Sequence, residues 1–160
     1  MAPLTFREEV APADPERIRE LVKSTGVFSQ VEIQTAAELA EERLARGPES
    51  GYHFIFAERE GRMVGYACYG PIALTIGSYD LYWIAVEKSG QGQGLGRILM
   101  EKVEDLVRAL GGRRIYIETS TRPHYAPTRA FYLRTGCILE ATLEDFYAVG
   151  DSKAIYVKVV

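Results

Sequence analysis

Residues 78–110, SYDLYWIAVEKSGQGQGLGRILMEKVEDLVRAL, constrain the fold more than any other stretch of the chain. The opening residues are aromatic and branched, a composition that suits a pleated, half-buried strand. The closing residues place Leu95, Ile98, Leu99, Val103, Leu106, Val107 and Leu110 on one helical stripe. Between them glycine recurs at every second position from Gly90 to Gly96. Glycine loses more conformational freedom on folding than any other residue, so this spacing predicts a loop that something approaches closely. The first amides of a helix have no intrahelical partner, and the helix dipole adds partial positive charge around them. A strand-to-helix turn stripped of side chains is therefore a phosphate cradle. Arg97, in the first helical turn, runs against the dipole's preference for acids there, which is easier to explain with an anion bound nearby.

Two common nucleotide loops are excluded by spacing. The P-loop needs Gly-Lys-Ser/Thr at its end, and here Gly96 is followed by Arg97 and Ile98. The dinucleotide pattern G-x-G-x-x-G fails because no frame supplies its final three-residue step. Glu118 does end the next strand about 20 residues on, where a ribose-binding acid would stand, but without the fingerprint it carries no weight. A flexible turn that binds nothing is the remaining plain reading.

The flanks supply the rest of a mixed α/β chain. LTFREEV reads as a strand, and PADPERIRELVKSTG as a helix with Asp14 as N-cap and Pro15 at its first position. A second helix runs from about Gln30 to Ala45, after a connection, TGVFSQVE, that presents Phe28 and Val31 as exposed. YHFIFAEREGRMVGYACYG is two strands joined at Glu60-Gly61. Gly111-Gly112 ends the long helix; RRIYIETS is a strand, APTRAFYLRTG a short helix, and CILEATLEDFY and KAIYVKVV are closing strands. The order predicts one α/β domain over residues 1–160, built on a central mixed sheet.

Composition narrows the setting. A net charge of −3, with no basic cluster, argues against nucleic acid as a partner. No apolar run approaches the ~20 residues of a membrane helix, and the N-terminus has no secretory pattern, so a cytoplasmic location is expected. Cys68 and Cys137 read as buried apolar residues, and with His53 and His124 the only imidazoles, no metal site is expected.

On these residues the chain resembles the GNAT superfamily of acyl-CoA-dependent N-acetyltransferases. Gln91-Gly-Gln-Gly94-Leu-Gly96 matches its Q/R-x-x-G-x-G/A signature, LYWIAVEKSGQGQGLGRILM its strand, pyrophosphate loop and helix, and APTRAFYLRTGC its later A-x-x-FY-x-x-x-GF segment. The resemblance covers essentially the whole chain. It implies a mostly antiparallel twisted sheet, splayed between two parallel strands and flanked by about four helices, with acetyl-CoA in the splay. It also implies that the backbone of Ile84, Ala85 and Val86 pairs with pantetheine, and that amides of Gln91, Gly92, Gln93, Gly94, Leu95 and Gly96 hold the pyrophosphate with Arg97 close by. A backbone amide near Ile84 to Val86 would stabilise the oxyanion.

By the same resemblance Tyr132 is the general acid that protonates departing CoA; alone, it reads as an aromatic packed in the core. Glu118 is the first choice for the base that deprotonates the amine, beside its reading as a salt-bridged strand-end acid. Asp80, Glu87 and Asp145 read first as surface charges. The chain departs from the family pattern at Tyr125, where many members carry an Asn that touches pantetheine, at Thr128, commonly Ala, and at Cys137, commonly aromatic. Phe28, Tyr82 and Tyr147 are candidates for an aromatic acceptor wall, with Asp145 reading positive charge, beside a reading as ordinary packing. The expected acceptor is an amine of a small molecule or peptide. Members are often dimers, so the resemblance allows a homodimer. The contrasting expectation is a non-catalytic CoA-binding or regulatory module on the same fold.

Overall fold

The computed structural model describes residues 2–160. In chain order it contains β1 (Thr5–Arg7), α1 (Asp14–Ser24), α2 (Gln30–Arg46), β2 (His53–Arg59), β3 (Arg62–Pro71), β4 (Ser78–Val86), α3 (Leu95–Ala109), β5 (Arg114–Ser120), α4 (Ala126–Arg134), β6 (Ile138–Ala148) and β7 (Asp151–Val159). The strands form a seven-stranded mixed sheet in the order β1-β2-β3-β4-β5-β7-β6. β4 and β5 run parallel, whereas β1–β2, β2–β3, β5–β7 and β6–β7 are antiparallel. This is the expected α/β architecture. No described helix is long and apolar enough to cross a membrane.

Contacts group the chain into two compact units, Met1–Gly70 with Trp83–Val103, and Pro71–Tyr82 with Glu104–Val160. The first unit is built on the β2–β3 hairpin, closed at Glu60 and Gly61, both at positive φ. Alternation turns Phe54 and Phe56 of β2 and Tyr66 and Cys68 of β3 to one face, where they pack with Ile18, Leu21 and Val22 of α1 and Ala36 and Ala40 of α2. Gly65 looks the other way, and a Cβ there would lie 3.0 Å from Leu99 Cδ1 and 3.1 Å from the Ala85 carbonyl, so glycine lets α3 approach closely here.

Three local expectations change. Asp14 is not the N-cap of α1: that position is Ala13, which supplies no side-chain cap. The Asp14 carboxylate, fully buried, instead accepts from the Ala11 amide at 2.7 Å and from both terminal nitrogens of Arg7 at 2.7 and 3.0 Å. Phe28 is not exposed but stacks edge-on against Trp83 at 4.9 Å, although Val31 is exposed as expected. Leu110 belongs to the helical stripe by spacing yet is 53% exposed, because the helix stops before Gly111 and Gly112. The start of α2 carries a capping box unused in the sequence reading, with Ser29 Oγ accepting from the Glu32 amide and Glu32 accepting from the Ser29 amide.

Tyr66 is an exception to polar satisfaction in this core. Its ring lies 6.4 Å from Phe54 and 6.3 Å from Phe56, and its buried hydroxyl has no hydrogen-bond partner among the described residues. An unsatisfied buried hydroxyl costs about 1–3 kcal/mol. Tyr66→Phe is therefore expected to stabilise the protein by about 1 kcal/mol. Urea unfolding should show a higher midpoint at unchanged m-value, and a lower midpoint would mean that the hydroxyl has a partner.

The second unit is laid on residues 78–82 of β4 and on β5, β7 and β6. The parallel ladder pairs Ser78, Tyr79 and Asp80 with Arg114, Ile115 and Tyr116. Tyr79, Leu81, Ile115, Ile117, Ala154 and Tyr156 are buried, with Tyr156 directly opposite Ile117. Asp80, Tyr82, Tyr116, Glu118 and Lys153 belong to the alternate positions and therefore to the opposite face.

Candidate active site

In the first unit, β4 ends at Val86 and leads through a 3₁₀ turn, Lys88–Gly90, to the glycine segment. The Gln91 amide side chain donates back to the Val86 carbonyl at 3.2 Å, fastening the turn to the strand end. Glu87 is held by Arg62, at 3.1 Å through its Oε1 and more closely through Oε2, and its amide donates to Val64 at 3.0 Å. Its carboxyl is held below the ordinary value first by the Arg62 hydrogen bond. This acid anchors the turn.

Gly92 and Gly94 adopt φ of 82° and 79°, a region that side chains disfavour, with open space where a Cβ would stand. The first helical bond of α3 runs from the Ile98 amide to the Gly94 carbonyl at 3.1 Å. The amides of Leu95 and Gly96 precede that bond, in the first turn of the helix, where the backbone donors have no intrahelical acceptor. Leu95 is buried and roots the turn, whereas Arg97 is exposed in the first helical turn. A helix N-terminus with open space at the glycines before it fits a pyrophosphate. Ile84, Ala85 and Val86 are the strand residues leading into this turn, with Ala85 buried and the other two half-buried.

In the second unit, Tyr132 sits on α4 and is buried, its ring 5.7 Å from Tyr156 and 5.6 Å from Phe131. Contact with Tyr156 places Tyr132 on the buried face of the β5–β7 ladder. Its carbonyl accepts from the Cys137 amide and the Thr135 hydroxyl, each at 3.0 Å. Lys158 Nζ donates to the Thr135 carbonyl at 3.0 Å and lies 3.6 Å from Glu104, and Arg129 ties the helix to the Ser120 carbonyl at 2.8 Å. Burial, and then the neighbouring Cys137 and Tyr156, push the Tyr132 phenol well above its ordinary value. Tyr125, in the 3₁₀ turn Pro123–Tyr125, is buried with its ring 4.3 Å from His124, and Thr128 is half-buried. Cys137 is buried and unpaired, as is Cys68.

The opposite face carries the acids. Lys153, a residue the sequence reading passed over, is buried, with Nζ 3.0 Å from Glu118 Oε2 and 3.6 Å from the Phe146 ring centroid. The pattern Lys153-Ala-Ile155-Tyr-Val157 held the signal: a lysine in step with two apolar residues on one strand face. From sequence Asp80 reads as a surface charge, but it is half-buried and within electrostatic reach of Glu118 and Lys153. Burial, and then Glu118, raise its carboxyl above the ordinary aspartate value against the opposing pull of Tyr82 and Lys153. Tyr82 is part-exposed, and Tyr147 is exposed with its ring 5.7 Å from Lys153. Asp145 is exposed at a φ of 53°, and its Oδ1 accepts from the Gly150 amide at 2.8 Å, so it shapes the β6–β7 turn.

A mixed sheet with β4 and β5 parallel, and a glycine turn leading from β4 into a long helix, defines an acyltransferase type of α/β protein. The chain belongs to the acetyltransferase (GNAT) family, whose family model matches residues 16–137. Membership makes it an acyltransferase by class. The crystal structure of a GNAT-family protein from Desulfovibrio desulfuricans superposes with a TM-score of 0.96 at 48% identity, covering 98% of this chain and 99% of that one. At 17% identity, an aminoglycoside 6'-N-acetyltransferase complexed with coenzyme A shares the fold with a TM-score of 0.75 over 98% of this chain and 96% of that one. The ribosomal-protein-S18-alanine N-acetyltransferase of Escherichia coli does so at 19% identity and 0.77, over 99% of this chain and 94% of that one. No curated protein matches the sequence significantly.

Proposed function

We propose that the protein is an N-acetyltransferase, acting as one domain, that transfers the acetyl group of acetyl-CoA to a primary amine by direct attack in a ternary complex. The observation that carries this reading is the glycine turn: Gly92 and Gly94, at positive φ, leave open space beside the N-terminus of α3. Gln91, Gly92, Gln93, Gly94, Leu95 and Gly96 hold the pyrophosphate there, with Arg97 adding charge. Ile84, Ala85 and Val86 pair with the pantetheine arm, and Tyr125 and Thr128 flank it. Bound acetyl-CoA supplies an activated thioester. A backbone amide at the β4 end polarises its carbonyl, so much of the acceleration is positioning. Tyr132 donates a proton to the departing sulfur, and an acid on the Asp80–Glu118 face receives the amine's proton.

The fold relative carrying coenzyme A supports the donor, and the relatives named for an aminoglycoside and for a ribosomal protein support an amine acceptor on a small molecule or peptide. Two buried, unpaired cysteines support a reducing, cytoplasmic setting. Phe28, packed on Trp83, and Tyr82, Asp145 and Tyr147 remain the acceptor-side candidates.

The test is a panel of primary amines incubated with protein and acetyl-CoA while free thiol is followed. Amine-dependent thiol release is expected. Acetyl-CoA binding without release across the panel would favour a non-catalytic CoA-binding module, a reading that the presence of Tyr132 already disfavours.

A further inference from the structure

By strand periodicity Lys158 is out of place. It shares its strand face with Ala154 and Tyr156 and stands directly opposite Ile115, so a cation enters the buried side of the β5–β7 ladder, where Tyr132 packs. Its ammonium donates to the Thr135 carbonyl at 3.0 Å and lies 3.6 Å from the buried Glu104 carboxylate of α3. Gly136 makes room for it: a Cβ there would stand 2.6 Å from Lys158 Nζ. Thr135 caps the C-terminus of α4, the helix end at which the dipole favours a cation. The Thr135 hydroxyl in turn donates to the Tyr132 carbonyl at 3.0 Å. An ammonium, the capping residue and the backbone of Tyr132 therefore form one connected run of hydrogen bonds.

We propose that Lys158 is a positioning residue: by holding the Thr135 carbonyl, with Glu104 as its counterion, it sets the last turn of α4 and so the place of the Tyr132 hydroxyl. The assignment rests on the acetyl-transfer reading above, in which that hydroxyl serves the departing sulfur. α4 has only nine residues, too few to hold a helix in water by itself, so its place is set by what it is tied to. Arg129 ties it to the carbonyls of Ser120 at 2.8 Å and Arg122 at 2.9 Å. Lys158 ties its far end, beyond Tyr132. Packing of the Tyr132 ring on Tyr156 is non-directional, whereas a hydrogen bond fixes both distance and angle. A buried ion pair adds little stability over apolar residues of the same volume, so the return on this one is geometric. That geometry matters, because a reacting group misplaced by about 1 Å can lose on the order of 100-fold in rate.

Lys158→Met combined with Glu104→Gln removes the brace without leaving a buried charge alone. With the best primary amine of the panel, this double variant is expected to lower kcat about 10-fold, with the KM values for acceptor and acetyl-CoA nearly unchanged. Lys158→Arg keeps the charge but brings a broad, planar guanidinium to the narrow space beside Gly136, and should show a smaller fall of the same kind. In a Tyr132→Phe background neither change should lower kcat further, because no hydroxyl is left to place. A merely structural brace would cost the same in both backgrounds. Coenzyme A thermal shifts equal to the parent's confirm that each variant is folded, and Lys158→Arg carries the comparison if the double variant is not. Parental kcat in either variant, or an equal fall in the Tyr132→Phe background, overturns the assignment but leaves acetyl transfer standing. A parent protein inactive on every amine overturns the acetyl-transfer reading itself.

Discussion

Tyr132→Phe is expected to lower the turnover number about 100-fold while leaving the Kd for acetyl-CoA and the melting temperature nearly unchanged. The fold should tolerate the change because the ring packs on Tyr156 and Phe131, and Phe keeps that packing. The helix end is held from its backbone, through Thr135, Cys137 and Lys158, whose bonds run to the carbonyls of Tyr132 and Thr135. The magnitude sits at the low end for a general acid for a physical reason. An ordinary thiol titrates near 8.5, and burial lifts this phenol well above its own usual value of 10. Complete transfer to the thiolate therefore runs uphill, and much of the benefit is a hydrogen bond to charge building on sulfur. The sign for pH follows. An acid must be protonated to act, and a raised value keeps Tyr132 protonated, so the rate should show no basic fall-off from this group below about pH 10. Stopped-flow or steady-state thiol release over pH 6–10 checks both statements. An unchanged turnover number removes Tyr132 from the role.

Asp14→Ala should cost about 3 kcal/mol of stability, the low end for breaking a buried pair. Arg7 bonds Asp14 through both terminal nitrogens and stacks over Phe56 at 4.5 Å, and Arg17 adds a contact at 3.3 Å. The substitution leaves the Ala11 amide without its acceptor, yet Arg7 keeps Glu58 at 3.3 Å, which limits the loss. A fall of roughly 6–12 °C in Tm corresponds to that energy for a chain of this size. Burial alone would raise the Asp14 carboxyl; hydrogen bonds from Arg7 and the Ala11 amide and the charge of Arg7 outweigh it and hold the group below its ordinary value. A depressed carboxyl stabilises the fold fully above the unfolded value near 3.9, and that contribution drains away as pH falls through the folded one. Urea unfolding at pH 7 and at pH 3 should therefore show a smaller gap between parent and Asp14→Ala at the lower pH. An equal gap would mean that charge plays no part.

What could be read from sequence divides along the range of the interactions. The β2–β3 hairpin, the glycine turn and the core stripe of α3 were legible because each is specified by neighbours a few residues apart. Asp14 was misread as a cap because its partner, Arg7, lies on another element. Phe28 reads as exposed for the same reason, since Trp83 is remote in sequence. Asp80 alternates with Tyr79 and Leu81, so strand periodicity alone turns it outward; the charges that reach it, Glu118 and Lys153, stand on β5 and β7. Lys153 escaped notice because only the β5–β7 register sets its ammonium against Glu118. The donor side of the candidate site is local chain chemistry, and the acceptor side is assembled by strand pairing.

Tyr132 and the Asp80–Glu118 pair occupy opposite faces of the β5–β7 ladder. On the proposed roles, the sheet is a partition between a proton sink and a proton source. In direct contact the phenol would donate its hydrogen bond to the carboxylate, occupying both groups before any amine arrived. Separated by a layer of backbone, the phenol keeps its proton and the carboxylate its charge, and each resets through its own exchange with water. Catalysis on these terms runs as two proton circuits that meet only in the reacting molecules, with the strand that divides them serving as insulation.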